Sequence, residues 1–439
     1  MASSQTGSWP WQGTKATVTR MLGVVEAHSG QVALAAVALN LVATLSFAIV
    51  LGDQLRYLDE RDYVALTGSM AQGNGFSGSA GPTAYRPPGY PLLLLPVYLL
   101  SNGSILAMRM VGVLALSGTI WLVYVLGRRA HSGVAGVLAA LLMAGYPLLG
   151  YTATALYPQV PALFLLLLFL EASMRLAEPQ PPHRWWTTAL VGGLAGGLLT
   201  ITVPTFGPSV VTVLAWLAWR HRLGEGRRRA LRTLAVCLLA AAVLPTVWCV
   251  RNAVQLHAFV PLSTNNGVNL LLGNSERVTA SSGPGGDIST YRLRAERLDL
   301  DEVELDHFYR DEALDWMIAN PMPAGELYLQ KVAHNFSFRD DLATAGQSSA
   351  VQDLVSALAY YPLLGLALLR VLTLRRWPLG TVERATLWLL VGNVLLLALF
   401  FTRLRLRVPL DGLMILLAAT AAAHLLQRWS SIAERQSPT

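Results

Sequence analysis

Residues 32–51 read VALAAVALNLVATLSFAIVL, an unbroken run without a charged side chain. An α-helix of roughly 20 residues is what a hydrocarbon core about 30 Å thick requires. The run is too long and wrongly flanked for a cleaved signal peptide, and no small-residue cleavage site follows. It is read as the first membrane span. Further apolar runs lie at 105–127, 133–150, 155–175, 187–203, 204–219, 231–250, 352–371, 384–401 and 408–427. Several carry proline, at Pro147, Pro158, Pro161 and Pro204, which polytopic helices tolerate where neighbours re-satisfy the backbone. The pattern predicts an all-α polytopic membrane protein of about ten spans. Residues 1–31 precede the transmembrane module at 32–427, and 428–439 form a tail.

Composition agrees. The chain is 53% hydrophobic and 13% charged, against about 25% charged in a soluble domain. Lysine occurs only at Lys15 and Lys331, and the abundance of Arg, Ala and Leu points to a GC-rich bacterial genome. The net charge of +7 does not point to nucleic acid, because the arginines sit in short loops between apolar runs. The loops at 127–131, 175–184, 220–232 and 374–384 hold them, as do Lys15 and Arg20 before the first span and Arg428 and Arg435 after the last. The positive-inside rule makes those loops and both termini cytoplasmic. The long excursions at 52–104 and 251–349 then lie on the outer face, where function concentrates on loops held by a rigid scaffold. Cys237 and Cys249 share one apolar segment outside any CxxC pattern, and His257, His307 and His334 have no ligand spacing. No disulfide, metal or cofactor is predicted, and an assisting divalent cation is left open.

Candidate chemistry falls in the two outer loops. LDERDY (58–63) sets three acids just past a span. Leu58, Asp59, Asp62, Tyr63 and Leu66 follow helical spacing over 58–71. Asp59, Asp62 and Tyr63 thus share a face, with Glu60 turned about 100° from Asp59. The acids are either a solvated first turn favoured by the helix dipole or a site. The glycines of GNGFSGSAG (73–81) end the helix, and no GK[ST] follows them, which excludes a P-loop. In YRPPGYP (85–91) the prolines hold Arg86 at the interface, to snorkel or to bind phosphate. TRLRLR (402–407) places Arg403, Arg405 and Arg407 at the outer end of a span, against the positive-inside bias. All three align on one face if that segment is extended. They either anchor to anionic lipid or hold an anionic head group; Arg251, at the outer end of the seventh span, is a weaker candidate. Asn265, Asn266, Asn269 and Asn274 of STNNGVNLLLGN (263–274) suit sugar hydroxyls and tight turns equally. Residues 298–320 read as an amphipathic surface helix with its acids on a solvated face.

YLDERDYVALTGSMAQGNGF (57–76) followed by YRPPGYPLLLLPVYLL (85–100) resembles the polytopic GT-C glycosyltransferases. The similar branch is the bacterial one with relatives of protein O-mannosyltransferase and aminoarabinose transferase. RNAVQLHAFVPLSTNNGVNLLLGN (251–274), ANPMPAGELYLQKVAHNF (319–336) and TRLRLRVPLDGLMILLAA (402–419) continue the likeness in order. The resemblance implies transfer of a sugar from a polyprenyl-phosphate donor to a glycan, lipid or protein acceptor, at a hydroxyl or amine. It makes Asp59 the general base and implies a multi-pass protein of the bacterial inner membrane with an extracytoplasmic site. An inverting transfer needs one carboxylate to take the acceptor proton. The lipid phosphate leaves as an anion without protonation, unlike the two-carboxylate chemistry of glycosidases. On this reading Glu60, Asp62 and Tyr63 orient the acceptor. Arg86, Arg251, Arg403, Arg405 and Arg407 bind the donor phosphate, and Asn265, Asn266, Asn269 and Gln159 bind sugar.

The chain departs from the family at two points. Relatives often carry an acid at the outer start of the fourth span, where 154–164 offers Gln159, and an Arg before a proline near the fifth, where 199–205 has none. With no large soluble domain after the last span, acceptor recognition is expected to fall to the two outer loops. The rival class is a polytopic transporter, or a flippase or ligase for lipid-linked glycans. Transporters set polar residues at mid-bilayer on broken, repeated helices. No repeat is apparent, and the outer-loop charges gather at the interface.

Overall fold

The computed structural model describes residues 11–178, 184–222, 227–339 and 349–435. Those residues form helices joined by short connections, with one two-stranded hairpin. In lipid every backbone group must be satisfied within the protein, which favours helices through the apolar runs. Two helices, Gln159–Leu176 and the stretch Leu404–Ser430, form the centre, each with 83% of its apolar window buried. Ser29–Leu51, Leu231–Gln255 and Ala350–Leu372 lie outside them, with 28%, 28% and 22% buried, and turn side chains such as Leu39, Val247 and Leu358 outward. Lipid tails offer no hydrophobic force to join helices, so close backbone packing must do so. A Cβ at Gly193 would lie 2.4 Å from the Cys237 carbonyl oxygen, and one at Gly197 2.5 Å from that of Ala241. Only glycine lets the helices Trp185–Thr202 and Arg227–Gln255 touch this way.

Each of the ten expected spans coincides with a helix, but the helices differ in reach. Six described helices are long and apolar enough to cross a membrane. A seventh crossing is the pair Gly133–Ala144 and Pro147–Thr154, bent by 58°. The remaining three expected spans correspond to Trp185–Thr202, Gly207–Arg222 and Thr381–Leu397, of 18, 16 and 17 residues. These fall short in combined length and hydropathy. Pro204 separates the first two, opening a single 3-10 turn, Pro204–Phe206.

The first long loop begins with the helix read from the LDERDY spacing, observed at Leu58–Ala71. Its glycines form an antiparallel hairpin, Ser77–Gly78 with Gly81–Pro82, before the chain returns on the apolar helix Gly89–Leu100. The second long loop holds four α-helices, Asn266–Leu271, Ser289–Glu296, Glu302–Ala319 and Pro321–His334. A small core of Leu271, Ile288, Tyr291, Tyr309 and Phe401 joins that loop to the bundle. The acids at 298–320 are not all on a solvated face. Glu302 accepts from Thr83 Oγ1 (2.5 Å), Ala84 N (2.8 Å) and Thr264 Oγ1 (2.6 Å), stitching the two loops together. Asp306 accepts from Gly267 N at 2.6 Å.

Candidate active site

The helix Leu58–Ala71 is anchored from beneath by Glu60. Its carboxylate accepts from the backbone N–H of Arg56 (2.7 Å) and Tyr57 (3.1 Å), which closes the first turn as a capping box does. The other oxygen accepts from Leu156 N at 2.9 Å and pairs with Arg109 at 3.4 Å, both side chains 1% exposed. Arg109 in turn donates to the carbonyls of Gly52, Gln54 and Thr154. Glu60 therefore does not stand with the residues expected to orient an acceptor. The roughly 100° turn that separates it from Asp59 directs it into the protein.

Asp59 and Asp62 face the other way, into a cavity of about 580 Å³. Arg86, held after the hairpin, donates through Nη2 to Asp59 (2.5 Å) and Asp62 (2.7 Å), and through Nε to Asp62 (3.3 Å). Arg405, from the first turn of the last helix, pairs with the second oxygen of Asp59. It lies over the Tyr157 ring at 4.8 Å. Arg86 stacks near Tyr63 (5.7 Å) and Tyr85 (5.3 Å). Burial pushes the Asp59 carboxyl up, but the Arg405 and Arg86 charges outweigh it and hold the group below the usual carboxylate range. Burial pulls the Arg86 pKa down, and Tyr63, Asp59 and Asp62 together raise it.

The cavity gathers Asp59, Asp62, Tyr63, Arg86, Gln159, Asn265, Asn266, Asn269 and Arg405 from segments far apart in the sequence. Gln159 presents a buried Oε1 with no hydrogen-bond partner, a group that calls for a ligand or water. Two asparagines also serve the loop: Asn265 accepts from Ser263 Oγ (2.9 Å) and Asn266 donates to the Ser263 carbonyl (3.1 Å). The cavity also has an apolar lining, supplied by Val203, Leu397, Phe400, Phe401 and Leu406.

Three expected phosphate ligands lie elsewhere. Arg251 donates to the carbonyls of Thr83 (2.7 Å) and Phe76 (2.6 Å) and lies over Trp248 at 4.9 Å, pinning the hairpin. Arg407 pairs with Asp411 at 2.9 Å, donates to the Asn335 and Ser337 carbonyls, and covers the Tyr360 ring at 4.0 Å. Arg403 does not line the cavity. The reason is local: the segment turns helical at Leu404, so Arg405 and Arg407 diverge by about 200° instead of sharing a face. Sequence reasoning missed Tyr157 and Arg292, which also line the cavity. An interfacial tyrosine two positions before Gln159 was a readable signal. Arg292, on a short polar helix, gave none.

Among the described residues no three His, Cys, Asp or Glu side chains gather as around a metal ion. Residues 85–249 match the sequence profile of the dolichyl-phosphate-mannose-protein mannosyltransferase family. No curated protein matches the chain. The fold matches the apo oligosaccharyltransferase of Archaeoglobus fulgidus at 13% identity and a TM-score of 0.54, over 90% of this chain and 51% of that one. AglB of the same organism, in complex with an inhibitory peptide and a dolichol-phosphate, matches at 12% identity and 0.48, over 92% and 52%. ArnT of Cupriavidus metallidurans, bound to undecaprenyl phosphate, matches at 14% identity and 0.41, over 88% and 78%. The chain spans about half the length of the oligosaccharyltransferase it matches.

Proposed function

We propose that this chain, a member of the GT-C superfamily by fold, is a membrane glycosyltransferase that uses a polyprenyl-phosphate sugar. Asp59 is its general base, and the acceptor is a hydroxyl or amine on a glycan, lipid or protein. The observation that carries the reading is the Asp59 carboxylate facing a cavity between two guanidiniums. Arg86 and Arg405 come from opposite ends of the sequence and supply the positive charge that a departing lipid phosphate needs. A carboxylate kept ionised takes the acceptor proton as its oxygen or nitrogen attacks the anomeric carbon. Asp62 and Tyr63 flank the acceptor, while Gln159, Asn265, Asn266 and Asn269 offer donors and acceptors to the sugar.

The apolar wall leads toward a place for the lipid tail. A second cavity of about 1010 Å³, lined by Trp216, Trp219, Trp388 and Leu396, borders the same helix end that supplies Leu397 to the first. The positive-inside pattern supports a site on the outer face of a bacterial inner membrane with cytoplasmic termini. The chemistry assigned to the two arginines requires no metal.

Purified protein in nanodiscs, given radiolabelled polyprenyl-phosphate sugars and envelope acceptors, tests the reading. Transfer to a new product is expected, and it should persist in EDTA. Asp59→Asn should lower turnover by a factor on the order of 100 or more while still binding donor. Near-normal transfer by Asp59→Asn would remove the base assignment. Movement of label across vesicles without transfer would favour a transporter.

A further inference from the structure

The two guanidiniums that flank Asp59 at the cavity are already occupied. Arg86 bridges Asp59 and Asp62, and Arg405 holds the other oxygen of Asp59. Two carboxylates and two guanidiniums thus neutralise one another, and a phosphate can enter the pairing only by replacing a carboxylate. Arg405 also keeps a buried Nε–H without a hydrogen-bond partner, a donor already left over in the present arrangement. Arg292 lines the same cavity and forms no ion pair among the described residues. The groups around Asp59 are Asp62 and Tyr63 on its own helix, Arg86 from the loop, Tyr157 from before the central helix, and Arg405. Arg403 acts electrostatically on Tyr157, while Arg86 and Arg405 pair with Asp59 itself.

We propose that the donor's phosphate displaces Asp59 from Arg86 and Arg405, so that the base is freed only when donor is in place. The proposal rests on the polyprenyl-phosphate reading above. Without donor, Asp59 is held by two cations and its proton affinity is low, so it activates neither water nor acceptor. Once a phosphate oxygen takes the guanidinium N–H groups, Asp59 loses both partners and its affinity for a proton rises. No bond is made or broken in the exchange; two ion pairs become two others. Linkage is reciprocal: a phosphate that weakens the hold on Asp59 is itself weakened by Asp59.

The reciprocity makes the test counter to ordinary site mutagenesis. Undecaprenyl phosphate is titrated into wild type, Asp59→Asn, Asp62→Asn and Arg405→Gln in nanodiscs, with inorganic phosphate as a parallel probe. Asp59→Asn, though inactive, should bind the lipid phosphate about fivefold or more tightly than wild type. Asp62→Asn, freeing Arg86 alone, should gain less. The gain should shrink in Asp59→Asn/Arg405→Gln, since the cycle removes both partners of one pair. Equal or weaker binding by Asp59→Asn, with wild-type binding intact, overturns the exchange and leaves the donor reading standing. Equal gains for Asp59→Asn and Asp62→Asn overturn it too, since they signal only a general change of charge. The same gain for inorganic phosphate would make the site one for free anions and overturn the lipid donor as the trigger. No wild-type binding, together with no transfer, defeats the donor reading itself.

Discussion

Asp59 keeps its negative charge further into acid than an ordinary carboxyl, because Arg405 and Arg86 outweigh its burial. A lowered folded pKa means the charged form, and the stabilisation it brings, is present above the unfolded value and lost as pH falls through the folded one. The acid limb of kcat/KM, which reports the free enzyme, should therefore lie below the usual aspartate range. The limb of kcat, which reports the donor complex, should lie higher once phosphate has taken the arginines. Coincident limbs would show that donor leaves the carboxylate's surroundings unchanged. At this scale the sequence was informative wherever residues sit close along the chain. The i, i+3, i+4 spacing put Asp59, Asp62 and Tyr63 on one face with Glu60 off it, and the helix Leu58–Ala71 has that register. Choosing among Arg403, Arg405 and Arg407 required knowing where a helix starts. Alternation by two aligns side chains in a strand and opposes them in a helix, and residue types alone do not decide which applies.

The second long loop is the element least legible from sequence, because long-range ties fix it. Lys331, 1% exposed, donates from Nζ to the Gly273 carbonyl (2.8 Å) and to Asn274 Oδ1 (3.1 Å). Asn274 donates onward to the Leu270 and Leu399 carbonyls. The chain thus locks the helix Pro321–His334 to the segment that carries Asn265, Asn266 and Asn269 into the cavity. Burial pushes the Lys331 ammonium down from 10.5 to about 8. Between those values the unfolded chain binds a proton that the folded one has released, so stability must rise with pH across the window. Thermal unfolding in detergent should show a transition that climbs from pH 8 toward 10, and Lys331→Met should flatten that climb. An unchanged slope in the variant would place the titration elsewhere. Glu302 makes the same point: in sequence it is one acid among many on an amphipathic helix, while in the fold it accepts three hydrogen bonds that join both long loops.

For the whole molecule, apolar periodicity located the helices, and six of those described, or seven with the bent pair, are long and apolar enough to cross a membrane alone. A bilayer-length test needs about 20 apolar residues; Gly207–Arg222 and Thr381–Leu397 offer 16 and 17. Both pack beside longer neighbours, where thinning of the bilayer or snorkelling arginines such as Arg220 and Arg384 can make up the difference. Sidedness then follows from charge. One helix long and apolar enough to cross, Ala350–Leu372, separates the loop holding Arg292 from the loop at 374–384, so the proposed sidedness puts those two loops on opposite faces. In a cysteine-free background, Thr290→Cys, on an exposed position of the second long loop, should react with a membrane-impermeant maleimide added to intact cells. Arg376→Cys, exposed between the helices Ala350–Leu372 and Thr381–Leu397, should react only after the membrane is opened. Labelling of both from outside would mean that Ala350–Leu372 does not cross the bilayer. The parity of the spans would then fail, and with it the argument that the N-terminal and C-terminal arginines share the cytoplasmic side.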